Sequence, residues 1–147
     1  LHENIQLARQ ERPRDRVIEA CCGSAVGTVQ LLTYSTSVYS TTHEERKDVL
    51  GEPEEVRTVD VITLRSLGLR AHPTDNVLLN IDVEGDEVAV LDGNDWDTFR
   101  PAIIVVEEWD GPLGKSTDLL RKMNGLGYRL IGVLGYSSVY RHHQSGI

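Results

Sequence analysis

Residues Asn76–Glu108 read NVLLNIDVEGDEVAVLDGNDWDTFRPAIIVVEE. Two apolar runs, Val77–Ile81 and Ala102–Val106, each end in acid: Asp82 closes the first, Glu107 and Glu108 the second. Between them Gly85–Asp92 is predicted helical. Val88 and Leu91 would share its buried face, Asp86 and Glu87 suit the positive end of a helix dipole, and Gly93 supplies a stop. Continuous apolar strands on either side of a helix argue for a parallel sheet covered on both faces. Ligands of such sheets sit beyond the carboxyl ends of the strands, where both acidic groups fall. Neighbouring strands lie about 5 Å apart, so adjacency would bring Asp82 and Glu107 together. Strand side chains alternate, so only one of Glu107 and Glu108 enters a cleft; the other is expected to be solvated or to cap.

Upstream, Leu1–Gln10 is predicted helical with Leu1, Ile5 and Ala8 on one face, and Pro13 ends it. Arg16–Cys22 is a predicted strand. Thr28–Thr33 and Val38–Thr42, rich in Thr, Val and Tyr, are two more, paired across Tyr34–Ser37. His43–Glu55 reads as an exposed charged loop, Glu55–Val61 as a short strand, and Thr63 as the cap of a one-turn helix ending at Gly68. Downstream, Trp109–Lys115 holds Gly111, Pro112 and Gly114 and reads as a loop at the acidic edge. Ser116 or Thr117 caps a helix to about Leu126 with Leu119, Leu120, Met123 and Leu126 inward. Arg129–Val133 and Tyr136–Tyr140 follow as an antiparallel hairpin joined at Leu134–Gly135, and the polar tail from Arg141 is expected to fray. Parallel α/β units closing in an antiparallel pair fit an α/β, Rossmann-like sheet, mostly parallel with a C-terminal antiparallel hairpin.

The 147 residues suit one domain with a real core. A net charge of −8 excludes the basic footprint of a nucleic-acid binder. No apolar run approaches a membrane span and no signal peptide opens the chain, so a cytoplasmic setting is expected. Cys21 and Cys22 are adjacent, which does not indicate a disulfide scaffold. The chain begins with Leu1 inside a predicted helix, and is therefore expected to be an N-terminally truncated part of a longer protein.

The ordered residues Ile81-Asp82-Val83-Glu84-Gly85 with Glu87, then Val90, Leu91 and Gly93, then Arg100, Pro101 and Glu107 resemble the FkbM family of S-adenosylmethionine-dependent methyltransferases. Weaker agreement extends to Leu1–Asn4, to Ala20–Gly27 with Thr28–Leu32, and to Gly127–Tyr128, so the resemblance covers most of residues 1–147 as a single, partial domain. It implies S-adenosylmethionine as cofactor and methylation of a hydroxyl on a sugar or natural product. The family opens with a strand and a glycine-rich turn around the cofactor's methionine part, and then an acidic residue that holds the ribose; this chain starts after both. Asn80 stands where the family often has Lys, and Arg65 where it often has Asp. A rival placement puts the glycine-rich turn at Val17–Thr28, with Gly23 and Gly27 following a strand. That placement needs a helix at Val29–Leu32, whereas the residues there are β-prone.

Methyl transfer from a sulfonium is an in-line displacement in which positioning and exclusion of water dominate. A hydroxyl acceptor must also lose its proton, for which a carboxylate is a suitable base. Asp82 leads as acceptor contact or base, with Glu84 and Glu107 after it. The bland alternatives are a helix cap for Asp82 and a dipole partner for Glu84. The cofactor-facing set implied by the resemblance is Cys22, Asp82 and Val83, with Cys22 near the adenine; a small core residue is the simpler account of Cys22. Asp82, Glu84 and Glu107 also suit Mg²⁺ or Ca²⁺ by donor type, but no tight ligand pattern appears, and the scattered His2, His43, His72, His142 and His143 lack zinc spacing. Asn80, polar within an apolar strand, calls for a partner or a ligand. Trp96 and Trp109 flank the two strand ends and are best read as packing residues. The competing class is a degenerate, non-catalytic Rossmann-like binding module or gene fragment.

Overall fold

The computed structural model describes residues 2–34, 40–44, 47–108 and 117–146. In chain order they form α1 (His2–Glu11), β1 (Cys21–Cys22), β2 (Gly27–Thr33), β3 (Ser40–Thr41), α2 (Lys47–Leu50), β4 (Glu55–Ile62), a 3-10 turn (Arg65–Leu67), β5 (Leu78–Ile81), α3 (Glu87–Asp92), β6 (Ile103–Glu107), α4 (Thr117–Gly125), β7 (Tyr128–Leu134) and β8 (Ser137–His142). The class is α/β, built on two four-stranded sheets ordered β1-β4-β2-β3 and β5-β6-β8-β7.

The expectation of a mostly parallel sheet is corrected: both sheets are mixed. Between the described strands, parallel pairing joins β1 with β4 and β5 with β6. The other ladders, β2 with β3 and β4, and β8 with β6 and β7, are antiparallel. The cause is connection length, since parallel neighbours need a crossover and antiparallel ones only a turn. β5 and β6 are bridged through α3, whereas β7 and β8 turn at Gly135 and Tyr136, with Gly135 at a φ of 59°. The turn lies one residue later than expected.

Val29–Leu32 lies within β2, so the helix required by a glycine-rich turn at Gly23–Gly27 is absent. The strand expected at Arg16–Cys22 shrinks to Cys21–Cys22. Of the strand expected at Val38–Thr42, Ser40–Thr41 is present and Val38 and Tyr39 lie outside the described residues. The charged segment after His43 carries a short helix, α2. Thr63 does cap: its Oγ1 accepts the Ser66 amide at 3.0 Å, and Gly68 ends the turn at a φ of 64°.

The core lies on the second sheet, where Ile81, Ile104, Val106 and Tyr140 meet Val90 and Leu91 of α3 and Leu119 and Met123 of α4. Leu120 and Leu126 pack against this cluster, as the helix periodicity implies. α3 begins at Glu87 and buries Val90 and Leu91, so the expected inward face holds at Leu91 but not at Val88, which is 44 % exposed. β5 is not covered on both faces. Leu78 is 59 % exposed and Asn80 is exposed too, which leaves the Asn80 amide in water without need of a protein partner. Gly93 is required by contact rather than by dihedral: a Cβ there would collide with the Gly23 carbonyl oxygen, where α3 abuts the turn after β1. No described helix is long and apolar enough to cross a membrane.

The end of the chain is better held than a frayed tail. β8 runs to His142, which is buried edge-on against Tyr128 at 4.9 Å between ring centroids. His143 stacks on His142, and its amide donates to the Gly127 carbonyl at 3.0 Å. Burial, then the charges of His143, Arg100 and His72, lower the pKa of His142. Trp96 packs against the core and donates from Nε1 to the Leu91 carbonyl at 3.2 Å. Trp109, Ser116 and the loop Trp109–Lys115 lie outside the described residues.

Candidate active site

The parallel register of β5 and β6 aligns Ile81 with Val106. One residue further on, Asp82 follows the end of β5 beside Glu107, the last residue of β6. The turn into α3 then folds Glu84 back over them. Carboxylate oxygens of Asp82, Glu84 and Glu107 all lie within 4.8 Å of one another. The three acids singled out from sequence thus meet at the carboxyl edge of two parallel strands, for the reason the apolar runs implied.

Such crowding has a physical cost. Burial, followed by the charge of Asp82 and a hydrogen bond to it, then the charges of Glu84 and Glu87, raises the pKa of Glu107 to about 7. Like charges this close cannot all ionise freely, so Glu107 keeps its proton up to near neutral pH.

Glu107 and Glu108 part ways by strand alternation. Glu108 turns inward, buried, and accepts hydrogen bonds from Ser138 Oγ and from Tyr140 Oη. The expectation of a solvated or capping residue is therefore corrected, because the β8 hydroxyls satisfy the carboxylate inside the protein. Burial, then the Glu108 charge, pushes Tyr140 up to about 12.

Asp82 does not serve as the helix cap named as its bland alternative. Asp86 is the residue before α3, and its side chain makes no capping bond. Glu87 reaches back instead, accepting from the amides of Val83 at 3.3 Å and Gly85 at 3.1 Å. Glu84 has a φ of 57° and Gly85 a φ of 121°. Glycine at the second position is what allows so sharp a turn.

Asp82 and Glu84 open onto a cleft of about 550 Å³. Its floor and walls are Ala20, Leu31, Val59 and Val83; Asp82, Glu84 and Asp86 form its acidic end, and Cys21 and Cys22 line it from β1. The sequence-derived cofactor set, Cys22, Asp82 and Val83, therefore shares one cavity. Cys22 also packs on the core cluster, so the simple packing account of it holds as well. Burial raises the pKa of both cysteines, which keeps them as thiols rather than nucleophiles. The volume is that of a small-molecule site. An apolar wall with an acidic end suits a ligand that is aromatic at one end and cationic at the other.

Sequence reading missed Thr41, Thr42, His43 and Asp86, which surround the turn. Asp86 had been read as a helix-terminus acid, and no periodicity marks a contact between β3 and α3 that spans more than 40 residues. Glu87 carries a local signal, a glutamate just after the strand-end turn, of the kind that reciprocally caps amides.

A model of the methyltransferase FkbM domain matches residues 2–130, which includes every residue of the acidic cluster and all of β1 to β6. Comparisons with curated proteins and with solved structures gave no match. With the greater part of its length matched, the chain belongs to the methyltransferase FkbM domain family.

Proposed function

We propose that this chain is a single Rossmann-like, S-adenosylmethionine-dependent methyltransferase domain that methylates a hydroxyl of a small molecule, a sugar or natural product. The observation that carries the reading is the meeting of Asp82, Glu84 and Glu107 in a chain of this family, with Asp82 and Glu84 lining one end of a small-molecule cleft. The residues present fit the cofactor by chemistry. Acidic groups suit a sulfonium and an amine, and the wall of Cys22, Val83 and Leu31 suits an aromatic base. When bound, S-adenosylmethionine supplies an electrophilic methyl group. Asp82 accepts the proton of the acceptor hydroxyl, and Glu107, hydrogen-bonded to it, spreads the charge. Glu84 adds to the negative field that favours a cationic ligand. No metal is assigned to the cluster; turnover in excess chelator tests that choice.

Asp82→Asn is expected to lower turnover by about 10²-fold or more, the usual contribution of a general base, while S-adenosylhomocysteine still binds in a calorimetric titration. Unchanged turnover would remove Asp82 from the chemistry. A well-folded chain that fails to bind S-adenosylhomocysteine would reduce the family relationship to ancestry. One observation favours that second reading, a non-catalytic binding module: among the described residues β5 is an outer strand, with Leu78 facing water, and open edges invite association rather than catalysis.

A further inference from the structure

The segment that follows β3 belongs to the first sheet, yet its polar groups are directed at the turn that carries the acids of the second. Thr42 Oγ1 donates to Asp86 Oδ2 at 2.5 Å. His43 Nε2 lies 3.3 Å from the other oxygen, Asp86 Oδ1. Thr41 Oγ1 donates to the Glu84 carbonyl at 3.5 Å. The His43 ring also stands where a side chain at residue 85 would go, with Nε2 3.1 Å from the Cβ position. Gly85 therefore answers two demands at once, a φ of 121° and the approach of an imidazole.

An aspartate before a helix ordinarily turns its carboxylate onto the free amides of the first turn. Asp86 makes no such bond; Glu87 takes amides of the turn, and both Asp86 oxygens face Thr42 and His43. The turn is thus gripped from two sides. The grip matters because Glu84 holds a left-handed backbone, with φ at 57°, which costs a non-glycine residue about 1 kcal/mol and persists only where surroundings fix it.

We propose that Thr42 and His43, acting through Asp86, are positioning residues that hold the Val83–Asp86 turn so that Asp82 and Glu84 converge on Glu107. The inference rests on reading that cluster as the methyl-transfer site, and it predicts a specific coupling between the two sheets. The carboxylates that act on Glu107 are Asp82, Glu84 and Glu87. Asp86 is not among them. Loosening the grip therefore alters Glu107 only through the turn, which makes Glu107 a reporter on the turn's geometry.

The experiment follows the carboxyl carbon of Glu107 by NMR against pH in the 147-residue chain, assigned by its loss in Glu107→Gln. Wild type is compared with Thr42→Val, which removes the donor without changing charge, and with Thr42→Ser, which restores it. Thr42→Val is expected to bring the midpoint down from about 7 toward the ordinary 4.5 as the acids separate, and Thr42→Ser to return it. In methyl transfer, Thr42→Val should lower kcat by about 10-fold or more, as misplacement of reacting groups does, with little change in KM for the cofactor. A wild-type midpoint in folded Thr42→Val overturns the proposal. Should Thr42→Val not fold, His43→Ala at a half-exposed position gives the same two readings, and an unmoved midpoint there is equally fatal. If the wild-type chain transfers no methyl group, the titration still decides the positioning role, and only the proposed function falls.

Discussion

The two sheets share one strand pattern and differ in what covers them. In each, the first pair is parallel and the next two pairs antiparallel, so one strand runs against the other three. The second sheet is covered by α3 and α4 and buries Ile81, Ile104, Val106 and Tyr140. In the first sheet, β4 has no buried residue although it pairs on both sides. The described side chains of α1 are half-buried at best. Backbone pairing is comparable in the two sheets, and its net contribution is small because water offers the unfolded chain similar bonds. Removal of apolar surface from water is the term that differs, at about 25 cal/mol per Å². The second sheet is therefore the stable half, and the first leans on it through the cleft.

The largest test of this contrast is a matched pair of truncations. Ile104→Ala empties a fully enclosed position, whereas Leu31→Ala enlarges a cleft that is already open on one side. Loss of about 4 kcal/mol is expected for Ile104→Ala and about 2 kcal/mol for Leu31→Ala, the upper and lower parts of the range for such changes. Denaturant midpoints with constant slope measure both. Equal losses would mean that the two sheets form a single core of uniform tightness, and the contrast would be gone.

That contrast also explains what was legible in the sequence. The second sheet is coded locally: each apolar run is a strand, and the single α3 crossover fixes β5 beside β6. The convergence of Asp82 and Glu107 could be read from that alone. Glu108 could not, because its fate depends on Ser138 and Tyr140, about 30 residues away on a strand whose register against β6 no local pattern marks. Val88 misled because its spacing from Leu91 does not decide which neighbour of Leu91 shares the core: α3 turns Val90 inward and leaves Val88, in its first turn, open to water. The grip on the turn was invisible: Thr42 and His43 have neither periodicity nor motif, and their meaning lies in contacts to Asp86 across the boundary between the sheets. Gly93 shows the reverse case. Its place in the family motif was plain, but the reason, the Gly23 carbonyl pressed against it, belongs to the tertiary structure.

A test of intermediate size concerns the acidic seam. The folded pKa of Glu107, about 7, lies above its ordinary 4.5. Between those values the folded state binds a proton that the unfolded chain has released. The stabilisation linked to Glu107 is thus fully present below about pH 4.5 and is lost as pH rises through 7. Glu107→Gln is always neutral and keeps a hydrogen-bonding group beside Asp82. It should stabilise the protein by about 1 kcal/mol at pH 8, after discounting for screening by water at the cleft mouth, and should flatten the fall in stability between pH 4.5 and 7. Thermal melts across that range measure it. A loss of stability at pH 8 would mean that Glu107 is held by favourable contacts that outweigh the repulsion, and the seam would be a structural fastening rather than a strained site.

The smallest expected effect separates catalysis from association. Leu78 lies on the outer strand of the stable sheet, 59 % exposed. Replacing it with Lys removes little buried surface, so stability should change by no more than about 0.5 kcal/mol. A charge on an outer strand also discourages strand-to-strand contact between molecules. If β5 is merely an exposed strand of an enzyme, Leu78→Lys leaves the sedimentation profile and S-adenosylhomocysteine binding as they were. If β5 is instead the working surface of a binding module, wild type self-associates as concentration rises and Leu78→Lys does not. That second outcome would move the functional weight of the molecule from the carboxyl end of β5 and β6 to the flank of β5, with the acids of the turn left to set charge rather than chemistry.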